Sequence, residues 1–277
     1  MKQILNKERN DRHNVLVKRS YLSLQHIERY FFACNYLKPG DLVLDIACGT
    51  AYGTAILLEN GCNVIGADID RSHIENLKQA LNYENFEQAD ITALPFRSNK
   101  FDAVVCFETI EHVADGNKVL KELKRVLRSG GVIVCSTPNI RYENHPVWHV
   151  KEYTPKEFYG LASNYFDNIE YFAQYITHLD LIRDISKRFI RKTAKRILAQ
   201  SSILEKIKES VKCKLNKHKK VNFTNQSMQD MINNIKKIRR DSFHSVKPFA
   251  GENRLRIMII TGRKSITEHS DSNQKLL

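Results

Sequence analysis

Four short apolar runs punctuate the first 140 residues, each bounded by polar or turn-forming positions. They are DLVLDIA (41–47) after Pro39-Gly40, NVIGADI (63–69) after Gly61, FDAVVCF (101–107) and GVIVCST (131–137). Runs of this length, rich in valine and isoleucine, predict strands buried on both faces. Helical periods lie between them, in YGTAILLEN (52–60), in HIENLKQAL (73–81) and over 117–128. In the last, Val119, Leu120, Leu123, Val126 and Leu127 form one stripe that Gly130-Gly131 ends. Thr154-Pro155-Lys156-Glu157 combines a capping box with proline at the first helical position, so a further helix starts there. RLRIMIITG (254–262) reads as a last strand. Strands alternating with helices predict an α/β, doubly wound parallel sheet covered on both faces.

The texture changes beyond residue 176. Residues 178–220 hold 14 Lys+Arg and 4 Asp+Glu, with apolar residues at 182, 185, 189, 190, 197, 204, 207 and 211, which predicts one or two basic amphipathic helices. The expected organisation is a helical segment over 1–40, a core over 41–176, a basic helical insertion over 177–250, the last strand of the core over 251–263, and a polar tail over 264–277. The whole chain of 277 residues carries +13, and the 178–220 stretch accounts for +10 of it. An excess of this size points to an anionic partner such as nucleic acid, a membrane face or a polyanionic substrate, and the stretch that carries it is either a docking segment or a solvated helical hairpin that dimerises or covers the sheet edge. The N-terminus has no apolar core of a secretory leader, and no run reaches the ~18 apolar residues of a membrane span. The six cysteines form no Cys-x-x-Cys pair, and four of them sit in or beside strand-like runs, which predicts a reducing, cytoplasmic setting.

Ligands of a doubly wound sheet sit at the carboxyl ends of its strands. The first strand contains Asp45 and runs into Ala47-Cys48-Gly49-Thr50-Ala51-Tyr52-Gly53, whose small residues allow a tight turn and close approach to a ligand. Nineteen residues after Gly49 the second strand ends at Asp68, where an acid can accept both hydroxyls of a ribose. This pattern points to an adenosine-containing ligand. The dinucleotide fingerprint fails, because the chain from Gly49 reads G-T-A-Y-G-T, and no phosphate-binding G-x-x-x-x-G-K-[ST] loop occurs. Taken alone, Gly49 and Gly53 are equally compatible with a tight strand-to-helix turn and nothing more.

VLDIACGTAYGT (43–54), VIGADID (64–70), ADITALPF (89–96), FDAVVCFETIEHV (101–113) and ELKRVLRSGGVIVCSTPN (122–139) follow one another in order. Together they resemble the class I S-adenosylmethionine-dependent methyltransferases. The branch most similar includes ubiquinone-type O-methyltransferases and glycan- or natural-product-modifying enzymes. The resemblance covers roughly 25–175 and the last strand. It implies a Rossmann-like seven-stranded sheet, mostly parallel with an antiparallel last strand, and a sixth strand near 168–175. It also implies S-adenosylmethionine as cofactor. Asp45 would orient the methionine end, and the Ala47–Gly49 backbone would pass beneath it. Asp68 would hold the ribose with Ile69 against the adenine. Asp90 would accept from the adenine amino group, Ile91 would pack on the ring, and Phe107 would lie near the sulfonium. His26, Arg29 and Tyr30, on one helical face, would either lid the cofactor or pack a surface helix. Ala47 and Ala51 replace frequent glycines, a change tolerable unless φ is positive. Ser129 replaces a usual proline before Gly-Gly.

Methyl transfer depends on alignment of the acceptor, and a hydroxyl acceptor must also lose its proton. His112, in Glu108-Thr109-Ile110-Glu111-His112 after the fourth strand, is the candidate base, or else packs or caps the following helix. Glu111 would orient it or serve as a helix-start charge, and His149 and Glu152 are candidate acceptor contacts. His145 and His149 are four apart, but Pro146 breaks the helix between them, so no metal site is expected. The loops after the strands lack the Asn/Asp-Pro-Pro-aromatic motif of base N-methylation. The expected acceptor is a hydroxyl of a small molecule, glycan or lipid-linked intermediate at the inner membrane face, with peripheral contact through 178–220. The alternative is methylation of RNA or other nucleic acid docked through the same basic stretch. A binding protein without catalysis is a third reading, which the set Asp45, Gly49, Asp68 and Asp90 disfavours.

Overall fold

β1 (Leu42–Ile46) lies between two strands that run parallel to it, β2 (Asn63–Asp68) at Val43↔Val64 and β4 (Phe101–Phe107) at Val43↔Ala103. The computed structural model describes residues 21–141, 147–175, 227–236, 246–250 and 255–265. The N-terminal 20 residues, the basic stretch 178–220, His145, Cys213 and the tail beyond 265 lie outside the described residues. The described residues all fall in one compact unit that takes in chain on both sides of 176–225.

Among the described residues the sheet has eight strands in the order β3-β2-β1-β4-β5-β8-β6-β7. The remaining strands are β3 (Phe86–Gln88), β5 (Leu127–Pro138), β6 (Asp167–Tyr175), β7 (Val246–Pro248) and β8 (Leu255–Arg263). β1 to β5 are parallel, and β8 runs antiparallel between β5 and β6, as expected of the last strand. The eighth strand, β7, is the departure from the expected seven, and it pairs antiparallel with β6 at the sheet edge. It arises inside the 177–250 stretch expected to be insertion. So does α6 (Met228–Lys236), whose Met228 and Met231 are buried in the core. Both carry methionine or valine where the polar texture of 221–250 hid them.

The crossings are helices: α2 (Tyr52–Glu59), α3 (Arg71–Leu81), α4 (Gly116–Val126) and α5 (Pro155–Ser163), with α1 (Tyr21–Cys34) preceding the sheet. Alternate strand residues serve the two faces. Val43, Val64, Val105, Val134 and Ile259 join α1, α2, α3 and α6 on one side. Leu44, Ile46, Val104, Cys106, Ile133 and Ile260 join α4 and α5 on the other. Asp70 caps α3 by accepting from the His73 N–H, and Asp115 caps α4 by accepting from the Asn117 and Lys118 N–H groups. Thr154 and Glu157 form the expected box at α5. The α4 stripe stops at Val126, two residues earlier than its period suggested, because Leu127 is already extended and enters β5 opposite Phe101. Gly131 is required there, since a Cβ would lie 2.9 Å from the carbonyl oxygens of Arg128 and Asp102. The described cysteines, 34, 48, 62, 106 and 135, are buried and unbridged. No described helix is long and apolar enough to cross a membrane.

A buried carboxylate pins the front of this fold. Asp45 faces α1 and α2 and accepts from the Tyr30 hydroxyl at 2.9 Å and the Thr54 hydroxyl at 2.7 Å. The Tyr30 ring lies flat on Gly53, where any Cβ would sit 2.0 Å from a ring carbon, so this glycine exists for the tyrosine. Arg29, beside it, donates to Gln174 of β6 at 2.6 Å and to His26 Nδ1 at 2.6 Å. Gln174 in turn donates to Glu28 and to the Gln25 carbonyl. The His26/Arg29/Tyr30 face is therefore turned into the protein and docks α1 onto both halves of the sheet.

Two outcomes follow from this arrangement. Burial raises the Asp45 carboxyl to about 6, with the two hydroxyl donors opposing the shift. A folded-state value above the unfolded one gives stability that is full below about pH 4 and lost as pH rises through about 6. Denaturant titrations should therefore show Asp45→Asn gaining on the native chain by up to about 3 kcal/mol between pH 4 and 7; a gap that does not change with pH would refute the burial effect. Ala47 has φ 59° and Ala51 φ 62°, so the proviso on these alanines fails and both are strained. Ala47→Gly should stabilise the fold by about 0.5–1 kcal/mol in the same titrations, whereas a loss would show that the methyl makes favourable contacts.

Candidate active site

The carboxyl ends of β1 to β5 meet at one edge, and the chain reverses its winding between β1 and β4. That switch leaves a crevice flanked by the β1–α2 turn and the loop after β4. The turn is held by backbone. Cys48 N–H donates to the Ala67 carbonyl of β2, and Ala51 N–H to the Cys48 carbonyl. Gly49 has φ 52° and nothing nearer than 4.0 Å to a built Cβ, so its outer side is open. His73, in the first turn of α3, donates from Nε2 to the Gly49 carbonyl at 2.7 Å. No spacing in the sequence pointed to His73, and only the folded turn brings it there.

The residues expected to hold the adenosine lie at or just after strand ends. Asp68 ends β2 and accepts from the Gly49 N–H at 3.3 Å and the Asp70 N–H at 3.2 Å. Its carboxylate is thereby held at the crevice beside the open glycine. Ile69, the next residue, is 62% exposed, an unusual position for a large aliphatic side chain at a strand end. Asp90 follows β3 at the surface, and its Oδ1 accepts from both the N–H and the hydroxyl of Thr92 at 2.8 Å. Those bonds hold its carboxyl below the usual range, so it is ionised at neutral pH. Ile91 is buried behind it.

The methionine half is less direct. Asp45 is fully buried with its two oxygens on Tyr30 and Thr54, so it shapes the crevice from beneath. Ala47 lies at the turn in strained, left-handed backbone. Phe107 ends β4 and meets the Tyr30 ring edge-on at 4.9 Å. Thr54, which holds Asp45, escaped the sequence reading because a threonine inside an apolar helix carries no distinguishing mark.

The loop after β4 carries Glu111 and His112, two of the residues expected to face the acceptor. Glu108 is left-handed, φ 50°, and its carboxylate accepts from the Ser136 hydroxyl of β5 at 3.0 Å. Ile110–His112 form a single 3₁₀ turn. Glu111 is 1% exposed; its Oε2 accepts from the Thr137 hydroxyl at 2.9 Å, while Oε1 is buried with no hydrogen bond. Burial raises the Glu111 carboxyl well above its ordinary range, and the nearby Glu108 charge adds to the effect. The Glu111 carbonyl accepts from the Val150 and Lys151 N–H groups, which ties the loop of 147–153 across the site. That tie brings His149 to His112, ring centroids 5.1 Å apart. His112 Nδ1 pairs with the Trp148 carbonyl at 3.1 Å, and its Nε2 stands 3.9 Å from Glu111 Oε1, too far for the hydrogen bond that would orient it. The following helix is capped by Asp115, not His112. His149 Nδ1 pairs with Glu152 at 2.9 Å, both side chains nearly buried. The loop tip beside them is apolar and exposed at Val147 and Val150.

The sequence model of a methyltransferase domain family matches residues 44–135, from β1 into β5. The chain is 36% identical over 107 residues to a demethylmenaquinone methyltransferase of Clavibacter sepedonicus, covering 36% of this chain and 44% of that protein. It is 32% identical over 109 residues to a ubiquinone biosynthesis O-methyltransferase of Coxiella burnetii, covering 38% and 46%. It thus spans less than half the length of these curated relatives. Among solved structures, the YcgJ protein of Bacillus subtilis superposes with TM-score 0.51 at 18% identity, covering 87% of this chain and 99% of that one. A SAM-dependent methyltransferase of Thermotoga maritima superposes with TM-score 0.52 at 15% identity, covering 91% and 98%. Those two likenesses concern the fold. What these comparisons show is a methyltransferase domain over residues 44–135, set in an α/β fold shared with these two structures.

Proposed function

We propose that this chain binds S-adenosylmethionine in the β1–β4 crevice and methylates a hydroxyl oxygen of a small-molecule, glycan or lipid-linked acceptor. The observation that carries the reading is the series of strand ends: the open Gly49 turn, the Asp68 carboxylate fixed beside it, the exposed Ile69 and the ionised Asp90. These donors and surfaces fit an adenosine. Asp68 has acceptor capacity for a vicinal diol, Ile69 offers an apolar face to a purine, and Asp90 accepts from an exocyclic amine. When bound, the cofactor supplies a sulfonium methyl: the new O–CH₃ bond forms as the C–S pair returns to sulfur and the hydroxyl proton leaves. The protein's part is alignment. The Tyr30–Asp45–Thr54 pin fixes the floor, and Phe107 closes the inner wall.

The acceptor approaches from the β4–β5 side, where Glu111, His112 and His149 converge and the hydroxyl is activated. An oxygen acceptor is supported by the O-methyltransferase relative and by this histidine pair. The apolar lip at Val147 and Val150 suits an acceptor with a hydrophobic portion. Contact of the 178–220 stretch with anionic lipid fits the same acceptor class, and its charge would make that contact weaken with salt. Calorimetry with S-adenosylmethionine tests the cofactor site. Asp68→Ala should weaken binding by roughly 100-fold or more, from the loss of two charge-assisted hydrogen bonds, while a cooperative melting transition shows that the variant stays folded. Equal affinity in the variant, or no binding by the native chain, would overturn the proposal.

A further inference from the structure

The acceptor side of the site has a feature that methyl transfer by itself does not require. Glu111, His112 and His149 come from two loops, yet one donor atom from each lies within 4.8 Å of the others. The carboxylate among them is almost fully buried, and its Oε1 accepts no hydrogen bond. A buried oxygen without a donor costs about 1–3 kcal/mol unless something electropositive meets it. Both imidazoles have their far nitrogen engaged: His112 Nδ1 with the Trp148 carbonyl at 3.1 Å, and His149 Nδ1 with the Glu152 carboxylate at 2.9 Å. An acceptor at Nδ1 keeps the proton there and leaves Nε2 as the nitrogen that offers a lone pair. His112 Nε2 faces Glu111 Oε1 at 3.9 Å. Imidazoles backed by a carbonyl and by a carboxylate are the arrangement that orients metal-binding histidines.

We propose that Glu111, His112 and His149 form a site for a divalent cation of the zinc, cobalt or manganese kind. Two imidazoles and one carboxylate suit borderline first-row ions better than magnesium or calcium, which prefer all-oxygen shells. Bonds of about 2.1 Å place ligand atoms about 3–3.5 Å apart, so binding needs the side chains to close by roughly an ångström. His112 and His149 lie on surface loops that permit it. Three protein ligands leave at least one coordination position open. Val150 of the apolar lip is the next residue after His149, on the side where a hydroxyl would arrive. A hydroxyl bound there would be held in place and made more acidic, its proton passing to solvent. Cation binding stands on the geometry of the three side chains; only this last role rests on the methyl-transfer reading.

The test is calorimetry of the chelator-treated full chain with Zn²⁺, and absorption spectroscopy with Co²⁺, both without S-adenosylmethionine. One cation per chain should bind, with the visible bands of nitrogen–oxygen coordination. His149→Ala should weaken binding at least 10-fold, and Glu152→Gln should weaken it less. Glu111 is buried and its replacement can unfold the chain, so the loop variant His149→Ala, checked by its melting temperature, carries the decision. Absence of a one-to-one site, or affinity unchanged in His149→Ala, would overturn the cation site. Either result leaves S-adenosylmethionine binding by the native chain intact, so failure here is distinct from failure of the cofactor assignment.

Discussion

The hydrogen bonds from Tyr30 and Thr54 to the buried Asp45 carboxylate are the constraint from which the front of the protein is built. A carboxylate in the floor of a sheet is costly to bury, and two hydroxyl donors lower that cost only if α1 and α2 are both in place. The Tyr30 ring can reach Asp45 only by lying on the backbone of Gly53. The glycine-poor turn after β1 therefore has two separate uses: Gly49 leaves room on the ligand side, and Gly53 admits the tyrosine from beneath. Arg29 extends the same anchorage through Gln174 to β6, so one helix ties β1 to a strand of the antiparallel half of the sheet.

Backbone strain gathers at the same edge. Ala47, Ala51 and Glu108 are left-handed although none is glycine, and all three follow strands whose carboxyl ends line the crevice. Elsewhere among the described residues the left-handed non-glycine positions are asparagines, which tolerate that conformation. Strain of this kind persists where surrounding contacts over-determine the chain, and it commonly marks functional turns. The Glu108 turn redirects the chain so that Glu111 points inward and His112 outward, toward the loop that brings His149.

Much of this was legible in the sequence for identifiable reasons. The strands of the parallel half are buried on both faces, so they appear as uninterrupted apolar runs, and α4 and α5 carry their stripe and capping box openly. The positions of Asp68, Asp90 and Gly49 beside strand ends were readable because the apolar runs mark where those strands stop. β7 and α6 were not, because three residues of edge strand and one amphipathic helix in a polar stretch leave no periodic signal. Thr54 and His73 were hidden because their roles depend on which turn they meet in space. The pairing of Glu111 with His149 was out of reach because 38 positions and a loop separate them. The spacing of His145 and His149 suggested a metal pair, which Pro146 argued against, whereas the residues that approach His149 come from the turn after β4. The expected orienting bond from Glu111 to His112 is replaced by Thr137, a β5 residue with no sequence relation to the motif.

The account stands on one layout: adenosine along the ends of β1 to β3, acceptor chemistry at the ends of β4 and β5. A crystal structure of the chain with S-adenosylhomocysteine tests that layout most directly. It should show the ribose hydroxyls on Asp68, the adenine along Ile69 with its amino group toward Asp90, and the sulfur directed past Phe107 to the side of His112 and His149. A ligand bound away from Asp68, or one whose sulfur points away from those histidines, would contradict it.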